Sequence, residues 1–167
     1  MKKMYRIFLF LFGLGILMST FVSEVSAEVT GSAEGDLAPE IELNTLTGEQ
    51  IKLSSLKGKT VIVNFWTSWC TYCQSEVSEL NSFYESTNHQ ELEVLGVNIT
   101  SSEKSIQQVD QFVKQYKMNF PILLDKQGEV AKSYRIIGIP TTFVIDGNGR
   151  IKRKLVGPIT KEMLQTL

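Results

Sequence analysis

The sequence predicts an α/β fold in which a mixed central sheet is flanked by helices. Three observations predict it. Short β-branched, apolar runs alternate along the chain with stretches of helical period. The runs at 60–66 (TVIVNFW) and 92–99 (LEVLGVNI) lack polar alternation, the pattern of strands covered on both faces. The run at 150–156 (RIKRKLV) does alternate, apolar with basic, as an edge strand or a strand with one wet face would.

The elements follow in order. Lys2, Lys3 and Arg6 precede an unbroken apolar run at 7–18, extendable to 22, and small residues return at Val25-Ser26-Ala27. This is the order of an export signal, with cleavage near Ala27. The run is shorter than the roughly 20 residues of a typical membrane span, although about 17 can suffice. Residues 1–27 therefore read as a signal peptide or a membrane anchor. Either one puts the domain outside the cytoplasm, secreted or held at the outer side of the membrane, with the basic end left inside. The small, polar stretch 28–36 (EVTGSAEGD) reads as a linker, which leaves 37–167 as one domain.

Within the domain, 41–46 and 49–53 read as a hairpin about Thr47-Gly48. LSSLKGK follows as a turn of helix and a breaker. After the strand 60–66 the period changes: Cys73, Val77, Leu80 and Tyr84 share one helical face. Strand 92–99 should lie parallel to 60–66. Ile106, Val109, Val113 and Tyr116 mark a second helix. A short strand in 120–125, a short helix at 129–134, a strand at 141–146, a turn at 146–149 and the strand 150–156 come next. Thr160 starts a last helix.

Composition narrows the function. The 167 residues carry a net charge of −1, and without 1–27 they carry 14 basic and 17 acidic side chains. That balance lacks the basic surface of a nucleic-acid binder. Two cysteines and one histidine are too few for a disulfide scaffold or for most zinc sites.

Both cysteines fall in Cys70-Thr71-Tyr72-Cys73, where a strand gives way to a helix. The first N–H groups of a helix are unpaired and its dipole is positive there, so a Cys70 thiolate would be stabilised. Cys73, one turn further in, should be more buried. Cys70 could then form a mixed disulfide with a client and Cys73 resolve it. Haem attachment would need histidine at 74, where Gln74 stands, and an inert disulfide across so small a loop would stabilise little.

GDLAPEIEL, LSSLKGKTVIVNFWTSWCTYCQSEVSEL and GIPTTFVID together resemble the thioredoxin-like TlpA/ResA family of extracytoplasmic thiol–disulfide oxidoreductases. The resemblance runs from about 35 to 161. It implies a thioredoxin fold with an N-terminal β-hairpin and a central αβ insertion, and a redox-active Cys70–Cys73 disulfide with no other cofactor. It implies reduction of exported proteins, such as apocytochrome c or spore-envelope proteins. It also implies a membrane donor of the thiol-transfer type, since the chain has no nicotinamide or flavin fingerprint. Thr71-Tyr72 stands where such reductases often carry a proline-containing pair, and this leaves the direction of transfer open.

Four further residues join the candidate site. Glu76 shares the Cys73 face. It is either a solvated carboxylate favoured by the helix dipole or a proton shuttle for Cys73, and the resemblance favours the shuttle. Pro140 is cis in the family and packs against the cysteines, and the Ile139 backbone could pair with a client strand. Trp69 is expected as a partly exposed recognition surface, and Trp66 as core. Three alternatives remain: a disulfide-forming oxidase, a peroxidase suggested by Thr67 three residues before Cys70, and a non-catalytic client-binding module.

Overall fold

The computed structural model describes residues 29–166, so the expected signal peptide or anchor at 1–27 lies outside the described residues. Strands β1 (Glu42–Asn44) and β2 (Gln50–Lys52) form an antiparallel hairpin. Gly48, at φ +94°, makes its turn, a conformation open to glycine at little steric cost. A 3-10 turn at Leu53–Leu56 follows.

Five strands make the main sheet: β3 (Thr60–Trp66), β4 (Leu92–Asn98), β5 (Ile122–Leu124), β6 (Thr141–Ile145) and β7 (Ile151–Val156). Their order is β5-β4-β3-β6-β7. β3, β4 and β5 run parallel, and β6 and β7 are antiparallel to their neighbours. The helices are α1 (Thr71–Glu85), α2 (Ile106–Gln115), α3 (Glu129–Ser133) and α4 (Lys161–Gln165).

The period of two along β3 divides the core. Ile62 and Trp66 face a layer built from α1, α2 and α4, with Val77, Leu80, Phe83, Phe112 and Leu164. Val61, Val63 and Phe65 face the other layer, with Ile41, Leu95, Tyr134 and Phe143. Both faces of the sheet are covered by buried, mostly apolar side chains, which matches the lack of polar alternation along β3 and β4. Along α1, Phe83 is buried where the sequence suggested Tyr84, and Tyr84 is only half-buried. The apolar face is carried by i, i+3, i+4, so either aromatic could have filled it.

β7 is an edge strand with exposed basic residues, as expected. Its free edge does not end the sheet. Residues 30–37, most of the stretch expected as a linker, fold back along it. Gly35 N–H donates to the Ile151 carbonyl at 2.8 Å and Ile151 N–H to the Asp36 carbonyl at 2.9 Å. Lys154 N–H also reaches the Glu34 carboxylate. This stretch is thereby hydrogen-bonded to the domain.

Candidate functional site

β3 ends at Trp66, the chain turns through Thr67, Ser68 and Trp69, and Cys70 is the N-cap of α1. The structure joins Cys70 to Cys73 in a disulfide with Cα atoms 5.2 Å apart. Cys73 N–H donates to Cys70 Sγ at 3.1 Å. That is the donor the sequence placed at the helix start, and in the dithiol form it would face a Cys70 thiolate.

The cysteines differ less in burial than expected: Cys70 is 6% exposed and Cys73 2%. The reason is a second loop. The Ile139 carbonyl oxygen sits 3.8 Å from Cys70 Sγ, and the Ile139–Pro140 peptide bond is cis. Pro140 is buried and opens directly into β6. Strand order explains the meeting, because β6 lies beside β3 and their active-site ends coincide. A sequence separation of 69 residues closes to contact.

Glu76 lies three residues past Cys73 on the same buried face of α1 and is 1% exposed. Asn64 Nδ2 donates to its Oε1 at 2.8 Å and Ile159 N–H to its Oε2 at 3.0 Å. Asn64 Nδ2 also reaches Thr142 Oγ1 at 3.0 Å. No cation pairs with this carboxylate among the described residues. Burial pushes its pKa up to about 7, against the pull of the Asn64 and Ile159 hydrogen bonds.

Trp69 is 59% exposed and its indole N–H donates to the Ser102 carbonyl at 3.0 Å. Trp66 is core, 1% exposed and stacked on Phe112. Tyr72, between the cysteines, is 69% exposed. His89 is exposed, against the Tyr84 ring.

Residue-level reading gave no role to Asn64, Thr142 or Glu103. Asn64 had a signal: it is the one hydrogen-bonding amide set among the apolar residues 61–66, on the Ile62–Trp66 face. Glu103 had none. Its Oε1 accepts from Ser68 N–H at 2.6 Å and from Asn98 Nδ2 at 2.8 Å, and its Oε2 from Ser68 Oγ at 2.6 Å. These partners come from the ends of β3 and β4. Among the described residues no cluster of three or more His, Cys, Asp or Glu could hold a metal ion.

A cysteine pair capping a helix, beside a cis-proline loop on a five-stranded mixed sheet, defines a thiol–disulfide oxidoreductase of thioredoxin fold. Comparison with known proteins then makes the assignment particular. Residues 35–154 match the AhpC/TSA family, and the chain belongs to it. It is 36% identical over 165 residues to sporulation thiol-disulfide oxidoreductase A of Bacillus subtilis, covering 98% of this chain and 95% of that one. It is 34% identical to thiol-disulfide oxidoreductase ResA of Geobacillus kaustophilus, covering 99% and 95%. The crystal structure of StoA from Bacillus subtilis superimposes with a TM-score of 0.70 at 38% identity, covering 77% of this chain and 95% of that one.

Proposed function

We propose that this protein reduces disulfides of exported proteins on the outer side of the cytoplasmic membrane. The Cys70 thiolate attacks one sulfur of a client cystine, and the other client sulfur leaves as a thiolate and takes a proton. Cys73, losing its proton, attacks Cys70 Sγ. The client's second thiol leaves and the Cys70–Cys73 disulfide forms. Two electrons and two protons pass to the client. An external dithiol must restore the pair, and a membrane donor of the thiol-transfer type suits an exported chain.

The observation that carries the direction is Glu76. A carboxylate three residues past Cys73 on the same helix face, its pKa pushed up to about 7 by burial, has the proton affinity suited to taking the Cys73 proton. Once ionised it also disfavours a neighbouring thiolate, which makes the dithiol readier to give up electrons. In this reading Cys70 is the nucleophile, Cys73 resolves, and Glu76 moves the proton. Trp69, Ile139 and Pro140 meet the client, with the Ile139 backbone open to an added strand. Kinship with the sporulation and ResA oxidoreductases supports clients such as spore-envelope proteins or apocytochrome c.

The reduction potential tests the direction. A value well below about −200 mV is expected, and one near −120 mV would make the protein an oxidase. The client is named by trapping: Cys73→Ser should accumulate a mixed disulfide through Cys70, and Cys70→Ser should not.

A further inference from the structure

Beside the disulfide lies a groove of about 540 Å³ that the exchange chemistry leaves unused. Ser68 and Trp69, the two residues before Cys70, form its near wall, and α2 forms its far wall. The near wall stands one and two residues before the sulfur that would hold a client chain. The lining mixes side-chain amides and hydroxyls with the aromatic rings of Trp69, Phe112 and Tyr116. Gln74 comes from α1, and Gln108, Gln111 and Gln115 come from one face of α2. Lys104 is the one charged residue in the lining, which contains no carboxylate residue.

That amide row has a particular use. A primary amide both donates and accepts, as a peptide group does. Residues three and four apart on a helix sit about 5–6 Å apart. An extended chain repeats like-facing peptide groups about every 6.7 Å. The amide row itself carries no charge and therefore suits the backbone of an extended polypeptide.

The two walls are set by one connection. The turn from β4 into α2 carries Ser102, which holds the Trp69 indole N–H, and Glu103, which holds Ser68 by its N–H and its hydroxyl. Ser105 then caps α2, accepting from Gln108 N–H at 3.4 Å. Glu103 thus fixes the near wall from the root of the far one.

We propose that this groove receives the client's extended polypeptide beside its reacting cysteine, with Glu103 as the positioning residue that presents Ser68 and Trp69. This rests on the disulfide-exchange reading above. The test compares two substrates of the reduced full chain: an unstructured peptide carrying a cystine, and hydroxyethyl disulfide, which has no backbone to bind. Gln111→Trp, an exposed position, fills the groove without touching the core. It should lower the peptide-to-small-disulfide ratio of kcat/KM about tenfold, through KM. Glu103→Ala should do the same and shorten the fluorescence anisotropy decay of Trp69. Glu103→Gln should restore both, since its amide oxygen accepts from Ser68 N–H and Asn98 while its NH2 donates to Ser68 Oγ. A ratio unchanged within twofold in Gln111→Trp and Glu103→Ala overturns the proposal, as does Glu103→Gln behaving like Glu103→Ala. If the wild-type chain reduces neither disulfide, the exchange reading itself fails.

Discussion

Glu76 sets the pH behaviour of this protein at the scale of one residue. Its folded pKa, about 7, lies above its ordinary 4.5, so the folded state binds the extra proton. The stability this contributes is fully present below about pH 4.5 and is lost as pH rises through 7. The span corresponds to about 3 kcal/mol at most. Thermal unfolding followed from pH 4 to 8 should show the decline, and Glu76→Gln should flatten it. Glutamine can be accommodated, because Asn64 can turn its amide oxygen toward the new NH2. The same variant should slow resolution of the mixed disulfide by about 100-fold and remove its rise through pH 7, measured as client thiol release in single turnover. The cysteines were legible in the sequence because their three-residue spacing and place before a helical period are local facts. The Asn64–Glu76–Ile159 network was not, because its members are brought together by β3, α1 and the loop before α4.

Elements hold the site through close packing. Gly96 in β4 lies where a Cβ would come within 2.8 Å of the Phe120 ring and 3.2 Å of Trp66 Nε1. Gly96→Ala should therefore cost about 1–3 kcal/mol, read from denaturant unfolding, by pushing β5 and the Trp66 ring away from β4. Tyr134, fully buried after α3, donates to the Pro39 carbonyl at 2.7 Å and ties the entry of the domain to its far face. Tyr134→Phe leaves that carbonyl without this donor and should lower stability by about 1–2 kcal/mol, with exchange activity unchanged at temperatures where the chain is folded. The strands were readable to within a residue or two. Strand ends depend on tertiary pairing: the short strand expected within 120–125 is Ile122–Leu124, where β4 and the hairpin segment offer partners. The choice of Phe83 over Tyr84 was likewise made by what faced α1.

At the scale of the whole molecule, both edges of the sheet are covered by the chain's own N-terminal region. Thr45 bridges to Leu123 at the β5 edge, where Leu46 N–H also donates to the Ile122 carbonyl, and residues 35–37 lie along β7. An uncovered edge invites pairing with another chain. Starting the chain at residue 39 should cost about 2–3 kcal/mol, roughly 1 kcal/mol for each lost hydrogen bond to β7. It should also produce oligomers in sedimentation, whereas a chain starting at residue 29 should stay monomeric under the same conditions. Taken by itself, the sequence determined the fold class, the order of elements and the Cys70–Cys73 pair at a helix start, because periodicity and spacing are written along the chain. The tertiary structure alone decided what surrounds the Glu76 carboxylate and which residue clamps Ser68. Those contacts join residues 35 and 83 positions apart. They exist only where the folded chain brings the ends of β3 and β4, and α1 and the loop before α4, together.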